Sequence, residues 1–288
     1  MHPAIPVLLA FAALPGMLSG CRAREEALPE GDRVSGGMVL DESHLLDLTY
    51  AFDSTAVYWP TEKSFRLERT AYGSTPNGTF YAANRFRAAE HGGTHLDAPI
   101  HFAEGGWTVG EIPLQQLVGP AAVIDVSDSV EWNPDYRLTE KDLLEWEKRN
   151  GPVPGGAIVL LRTGWSKNWP DPKKYFGSET PEDTETLHFP GFSEEAARFL
   201  IQERFVDAVG LDTPSLDAGQ AVDFPAHRAF AASNVPGFEN VANLRHLPET
   251  GAWVMALPMK IADGTGAPLR IVALLPPAPA APPAAAAP

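Results

Sequence analysis

Short apolar runs bounded by turn-forming residues set the hydrophobic pattern of the chain. Five of them stand out: Val123–Val126, Ala157–Leu161, Phe205–Leu211, Trp253–Leu257 and Ile271–Leu275. Apolar runs of about four to eight residues between turn signals are typical of strands buried in a sheet. The pattern therefore predicts five buried strands.

Two segments between these runs carry the start signals of helices. Thr139 is followed three residues later by Asp142 and then by apolar positions, which is the pattern of a capping box. Ser193, with two glutamates directly after it, begins a second amphipathic segment that reaches Leu200. Helices that separate strands indicate an α/β sheet protein.

A hairpin is predicted before the densest cluster of polar residues. Asn77-Gly78 is a favoured sequence for a two-residue hairpin turn, and Phe80–Arg87 would be the returning strand. That strand leads directly toward the segment from His91 to His101, which the prediction places near a sheet edge or mouth.

The segment from His91 to His101 concentrates four potential metal ligands or proton carriers: His91, His95, Asp97 and His101. All four have odd numbers, so an extended backbone would direct them to one face. A helix would separate them, and Gly92, Gly93 and Pro99 disfavour a helix interior. We therefore predict a strand or extended loop here.

Imidazole nitrogens and carboxylate oxygens are ligands that zinc and manganese both accept. A catalytic site needs about three protein ligands and an open position, and this cluster can supply three while keeping one histidine free. A bound divalent cation lowers the pKa of its water from about 15.7 to about 7, which supplies hydroxide at neutral pH. The cluster thus favours metal-dependent hydrolysis over a coincidence of surface histidines.

The spacing His-x-Gly-Thr-His-x-Asp-x-Pro-x-His resembles the signature of the metal-dependent cyclase family of amidohydrolases, which includes bacterial kynurenine formamidases and isatin hydrolases. The resemblance extends from about Leu40 to Leu275 and continues in four further segments: Asp47-Leu48-Thr49, Phe189–Ser193, Gly210–Asp217 and His227–Leu244. It implies the swivelling β/β/α architecture with a mixed sheet, and a homo-oligomer.

The resemblance also implies five metal ligands from two parts of the chain: His91, His95, Asp97, His227 and Glu239. The first three would bind one ion, and Asp97 would bridge to a second ion held by the last two. Zinc would fill one or both positions, with manganese as the alternative. His101 would stay unligated as the catalytic proton-transfer residue, since an imidazole with a pKa of about 6.5 suits protonation of a departing nitrogen.

The leading substrate by resemblance is an aryl formamide like N-formylkynurenine, the arylformamidase reaction of tryptophan catabolism. The alternative is a cyclic amide or imide such as isatin, and Trp59-Pro60-Thr61 departs from the Tyr-Pro-Gly type stretch of formamidases. A third possibility is a non-catalytic periplasmic lipoprotein that binds a metal or ligand. Five aromatic residues near the motif or at strand ends could contact an aryl substrate: Trp59, Phe80, Phe102, Trp107 and Trp165.

The N-terminal sequence predicts a lipoprotein of the bacterial cell envelope. Residues 1–21 hold a short apolar core and end in Leu18-Ser19-Gly20-Cys21, which looks like a lipobox, and Cys21 is the only cysteine. Residues 22–38 would be a linker, 39–275 the hydrolase domain and 276–288 a disordered Pro/Ala-rich tail. Membrane contact would occur only through a lipid on Cys21, on the periplasmic or cell-surface side.

The charge of the chain excludes one class of partner. A net charge of -15 and a pI near 4.9 argue against nucleic acid, which requires a basic face. No Gly-x-Ser-x-Gly elbow occurs, so a serine hydrolase is disfavoured as well. A small-molecule amide remains the expected partner.

Overall fold

A computed structural model of the chain describes residues 42–277. The predicted signal peptide with Cys21, the linker and all but the first two residues of the predicted tail lie outside these residues. Within residues 42–277, no helix is both long and apolar enough to cross a membrane.

The described residues form strands and α-helices in a mixed order. The strands are β1 (Leu45–Asp47), β2 (Arg66–Ser74), β3 (Phe80–Arg87), β4 (His95–Asp97), β5 (Val118–Asp125), β6 (Arg137–Leu138), β7 (Ile158–Arg162), β8 (Gly191–Phe192), β9 (Ala208–Leu211), β10 (Gly237–Glu239), β11 (Trp253–Pro258) and β12 (Gly266–Leu274). The α-helices are α1 (Ser127–Trp132), α2 (Glu140–Asn150), α3 (Pro172–Phe176), α4 (Glu194–Gln202) and α5 (Pro225–Ala232).

Seven strands close into a barrel. Their order is β12-β11-β5-β7-β9-β10-β4, and β4 pairs back onto the start of β12. The pairs β5–β7, β7–β9 and β9–β10 are parallel, whereas β4, β11 and β12 join by antiparallel pairing. Because β4 is held on both sides, its side chains are fixed in register with Glu239 on one neighbour and Gly266 on the other.

All five apolar runs are strands of this barrel, which confirms the predicted α/β sheet. Their side chains alternate between two cores. Val159 and Leu161 pack in the core that contains α2 and α4, while Val123 and Leu160 pack in the core that also holds Leu96 of β4. Since both faces of the sheet are buried, its parallel strands read as continuous apolar runs rather than as alternating ones.

Both predicted helix starts are confirmed. Thr139 Oγ1 accepts a hydrogen bond from Asp142 N at 3.2 Å, and Asp142 Oδ2 accepts one from Thr139 N at 2.9 Å, so the capping box begins α2. Ser193 Oγ accepts from Ala196 N at 3.0 Å at the start of α4. In α2, Trp146 Nε1 donates to the Val123 carbonyl at 2.9 Å, which anchors the helix on β5.

The prediction of a two-residue hairpin turn is wrong. β2 and β3 do pair, but Ser74 faces Phe80, so five residues connect the strands. Pro76 follows Thr75, whose carbonyl accepts from Gly78 N at 2.9 Å, and Gly78 has a φ of +77°. Proline at the second position of a four-residue turn favours this wider connection over a turn on Asn77 and Gly78 alone.

Candidate metal centre and active site

Five separate segments bring the six predicted site residues together. His91 lies in the loop before β4, His95 and Asp97 lie on β4, and His101 ends a short 3₁₀ helix, Pro99–His101. Pairing of β4 with β10 sets His95 opposite Glu239. Helix α5 contributes His227 from the other side.

The predicted extended backbone is right only for β4. Gly92 and Gly93 have φ values of +158° and +59°, so the chain turns between His91 and His95. Pro99 begins the 3₁₀ helix that ends at His101. The four side chains therefore converge through two turns around a three-residue strand and not by simple alternation. Glycine at 93 permits the left-handed conformation, which other residues adopt at a cost.

The buried centre pairs two histidines with two carboxylates. His95 Nε2 lies 3.2 Å from Asp97 Oδ1 and 3.4 Å from Glu239 Oε2. His227 Nε2 lies 3.2 Å from Asp97 Oδ2 and 3.0 Å from Glu239 Oε1. All four side chains are almost completely buried. Both imidazole rings thus direct Nε2 at the same pair of carboxylates.

Hydrogen bonds behind these rings decide which nitrogen carries the proton. His95 Nδ1 lies 3.0 Å from the Gly93 carbonyl, and His227 Nδ1 lies 2.7 Å from Asp217 Oδ2. Both partners accept hydrogen bonds, so Nδ1 is the donor, and in a neutral ring Nε2 holds a lone pair that faces carboxylate oxygens. Within the described residues, the buried Nε2 of His95 has no hydrogen-bond partner. Lone pairs that face carboxylates across 3 to 3.5 Å suit a divalent cation, so the residues fit a metal.

The two carboxylates differ in their electrostatic environment. Burial raises the pKa of Glu239, and the charge of Asp97 adds to this effect. Burial alone would also raise the pKa of Asp97, but the charge of His91 and the hydrogen bonds from three histidines hold it well below its usual range. Asp97 is therefore the fixed negative charge at the centre of the site.

Asp97 belongs to both groups of side chains whose ligand atoms lie within 4.8 Å of one another: His91, Asp97 and His101 in one, and His95, Asp97 and Glu239 in the other. This arrangement agrees with an aspartate shared between two ions. The division of ligands between the two ions and the free state of His101 remain predictions.

His101 lies at the solvent side of the cluster. Its ring stacks on His91 with 3.9 Å between ring centroids, and the edge of Phe102 packs against it at 4.5 Å. Loss of water around the ring lowers the pKa of His101 to about 4, with the charges of His91, His227 and His95 adding to the effect and Asp97 opposing it. A neutral imidazole thus borders the metal-ligating groups at neutral pH.

Several supporting residues were not predicted from the sequence. Asp217 accepts from the backbone N–H groups of Ala226 and His227 at 2.9 and 3.0 Å and from the His227 ring. Asn240 Nδ2 donates to the Gly93 carbonyl at 2.7 Å, the same oxygen that orients His95. Both lie in segments that carry the family resemblance, but no spacing rule indicates that they position ligands.

A cavity of about 430 Å³ opens over the cluster, and aromatic side chains form part of its wall. Of the predicted substrate-contacting aromatics, Trp59 and Phe102 line it, together with Phe176 and Phe224. Three others do not line this cavity: Phe80 is exposed on the hairpin, Trp165 is buried in one core, and Trp107 packs against the other.

The remaining described histidines lie outside the site. His188 Nδ1 pairs with Asp135 Oδ2 at 2.8 Å, which is a structural contact away from the cavity. His44 and His246 belong to short 3₁₀ helices that do not line it.

Comparisons with known proteins agree with the fold. The model of the Cyclase family matches residues 46–218. The chain is 36% identical over 209 residues to an isatin hydrolase from Roseibium aggregatum, covering 69% of this chain and 77% of that protein. It is 28% identical over 234 residues to a kynurenine formamidase from Salinibacter ruber, covering 79% and 96%. The structure of isatin hydrolase A from Ralstonia solanacearum superposes with a TM-score of 0.73 at 35% identity, covering 80% of this chain and 91% of that one.

Proposed function

Because the chain belongs to the cyclase family and is a metal-dependent amide hydrolase, we propose that its substrate is a small aryl amide, with a cyclic amide such as isatin as the first candidate. The observation that carries the reaction class is the convergence of three histidines and two carboxylates beneath an aromatic cavity. Greater identity to isatin hydrolases than to formamidases supports the cyclic amide.

The side chains of the site would share the chemistry as follows. His91, His95, Asp97, His227 and Glu239 would hold divalent metal, which when bound would supply an activated water and polarise a carbonyl oxygen. Asp217 and the Gly93 carbonyl hold the ring nitrogens of His227 and His95 in position for binding. The neutral ring of His101, beside His91, is placed to take up a proton from the attacking water and to pass it to the nitrogen that leaves the opened amide.

The aromatic cavity supports an aryl substrate. Phe102 lies 4.5 Å from the His227 ring and 5.2 Å from Phe224, and Trp59 meets Phe176 edge to face at 5.9 Å. Rings in these arrangements offer faces and edges on which a fused bicyclic substrate can stack. A cavity of about 430 Å³ is large enough for such a molecule and for water near the cluster.

An aryl formamide is the second candidate. It is supported by kynurenine formamidases from several Bacillus species that align over 97% of their own length. The same cluster can act on either amide, because both reactions require an activated water, a polarised carbonyl and a proton for the departing nitrogen. Discrimination between the two amides would depend on the shape of the cavity walls, because a fused ring and an open chain require cavities of different shape.

Turnover of the two substrates tests these proposals. Purified protein is stripped with a chelator, and Zn²⁺ or Mn²⁺ is added back before isatin or N-formylkynurenine is supplied. We expect metal-dependent hydrolysis of isatin, and preferred hydrolysis of N-formylkynurenine would shift the assignment to the second candidate. Metal binding with no turnover of either would support the non-catalytic binding protein, provided that other aryl amides and imides are also inert.

We also propose that the protein is a lipoprotein of the cell envelope. Cys21, the single cysteine, follows Leu-Ser-Gly at the end of an apolar stretch, which supports acylation at that position. Mass spectrometry of full-length protein expressed in bacteria should find a lipidated N-terminus at Cys21, and Cys21→Ala should abolish the modification. A processed N-terminus without lipid would contradict the proposal.

A further inference from the structure

A second set of hydrogen bonds reaches His91 from outside the metal cluster. Glu90 Oε2 accepts from Thr265 Oγ1 at 2.7 Å, from Thr265 N at 2.9 Å and from Gly266 N at 3.3 Å. His91 Nε2 lies 3.0 Å from Thr265 Oγ1, and His91 Nδ1 lies 2.6 Å from Asp97 Oδ1. A carboxylate, a hydroxyl and an imidazole thus form one chain that ends at the shared aspartate.

The direction of these hydrogen bonds fixes the protonation of the ring. A hydroxyl has one hydrogen, and a carboxylate can only accept, so Thr265 donates to Glu90. The oxygen of Thr265 can then only accept from His91, which makes Nε2 the protonated nitrogen. Nδ1 lies 2.6 Å from the ionised carboxylate of Asp97, so it also donates in the metal-free protein, and it is the nitrogen whose proton a metal would replace.

This arrangement is the reverse of that at the other two histidines. His95 and His227 donate from Nδ1 to the Gly93 carbonyl and to Asp217, and they present Nε2 to the carboxylates. We propose that Glu90 and Thr265 are positioning residues that hold His91 in the Nε2–H tautomer, so that His91 binds metal through Nδ1 while His95 and His227 bind through Nε2.

The barrel closure places the chain of hydrogen bonds. β12 begins at Gly266, which lies opposite Asp97 where β12 pairs with β4. Thr265, the residue before it, is therefore held beside the cluster. Ala98 N donates to the Thr265 carbonyl at 2.9 Å and fixes its backbone. A Cβ on Gly266 would come within 2.5 Å of His91 Cε1. The glycine therefore allows the ring to lie close enough to Thr265 to donate to it.

The proposal rests on a metal being held at this site and does not depend on the identity of the substrate. The tautomer is tested with ¹⁵N-labelled histidine in the Zn²⁺-loaded protein, because long-range ¹H–¹⁵N spectra distinguish a protonated Nε2 from a protonated Nδ1. We expect His91 to keep a protonated Nε2, and His95 and His227 to keep a protonated Nδ1. A protonated Nδ1 on His91 in the Zn²⁺-loaded wild type would overturn the proposal, whatever the enzyme hydrolyses.

Two pairs of variants test the roles of Glu90 and Thr265. Glu90→Ala frees the Thr265 hydroxyl to donate to His91 Nε2, so the Nδ1–H tautomer becomes accessible, whereas Glu90→Gln keeps an acceptor oxygen. Thr265→Val removes the acceptor for His91, whereas Thr265→Ser keeps it. We expect Glu90→Ala and Thr265→Val to weaken Zn²⁺ binding about 10- to 100-fold in competition with a chromophoric chelator, and the conservative partners to stay within about threefold.

Matched substitutions at exposed positions of the hairpin serve as controls. Glu68→Gln and Thr70→Val change the same residue types on β2, away from the cavity, and should leave both the spectra and Zn²⁺ binding unchanged. Circular dichroism identifies a variant that fails to fold, in which case the conservative partner and the wild-type spectra still decide the result. Wild-type Zn²⁺ affinity in folded Glu90→Ala and Thr265→Val would overturn the proposal.

Discussion

Asp217 offers a direct test of how the protein holds His227. The carboxylate is 1% exposed and accepts three hydrogen bonds, from Ala226 N at 2.9 Å, His227 N at 3.0 Å and His227 Nδ1 at 2.7 Å. It therefore caps the start of α5 and orients a proposed metal ligand at the same time. Asp217→Asn keeps the size of the side chain but replaces one acceptor oxygen by a donor.

The loss of stability in Asp217→Asn follows from the number of hydrogen-bond acceptors that the variant lacks. The single amide oxygen can keep either the Oδ1 bond to Ala226 N or the two Oδ2 bonds to His227, so one or two buried donors lose their partner. Each such loss costs about 1–3 kcal/mol. We expect Asp217→Asn to lower the free energy of unfolding by about 2–4 kcal/mol and Zn²⁺ affinity by about 10- to 100-fold.

Urea unfolding of the metal-free protein and chelator competition measure the two effects separately. Asp171→Asn is the matched control, because Asp171 caps α3 at the surface and its side chain accepts from two backbone N–H groups there. Asparagine is also a good cap, so this control should lose at most about 0.5 kcal/mol and retain full Zn²⁺ affinity. If Asp217→Asn behaves like the control in both measurements, the role assigned to Asp217 is wrong.

Three further measurements test other parts of the account. Chelation should lower the free energy of unfolding, because the cation binds only the folded cluster of carboxylates and histidines. The expected loss is about 2.7 kcal/mol relative to protein in free metal at about 100 times its Kd. Equal stability with and without metal would contradict a metal site. Glu147→Gln removes the carboxylate that accepts from Arg204 at 2.5 and 2.8 Å, and this hydrogen bond holds the pKa of Glu147 below its usual value. The variant should therefore lose about 1 kcal/mol of stability at pH 7 and converge with the wild type as the pH falls through the lowered pKa of Glu147. A pH-independent difference would refute the ion pair as the cause. The homo-oligomer implied by family resemblance would bury the exposed rings of Tyr72 and Phe80 on the hairpin. Replacing both residues with serine should then lower the molecular mass measured by light scattering. A monomeric wild type would refute this expectation.

The sequence predicts the barrel strands well because burial on both faces leaves uninterrupted apolar runs, as in Ala157–Leu161. It does not predict that β4 pairs with β10 and β12, because these pairings join distant parts of the chain. The two-residue turn predicted from Asn77-Gly78 is wrong because Pro76, directly before this pair, favours a wider turn.

In the site, residue types and spacing indicate four candidate ligands or proton carriers: His91, His95, Asp97 and His101. Family resemblance adds His227 and Glu239 as metal ligands. What the sequence could not indicate is the set of hydrogen bonds behind the ligands. No pattern in the sequence indicates that Thr265 lies beside the site. Its hydroxyl faces His91 because barrel closure sets β12 against β4.

The central claim is that a metal-loaded cluster with His101 as the proton carrier hydrolyses an aryl amide. The most direct measurement is the kcat for isatin of the Zn²⁺- or Mn²⁺-loaded wild type and of His101→Asn, with His246→Asn as a control at an exposed histidine outside the cavity. We expect a loss of about 10²- to 10⁴-fold in kcat for His101→Asn, with metal content retained, and no change for the control. Wild-type turnover by metal-loaded His101→Asn would contradict it.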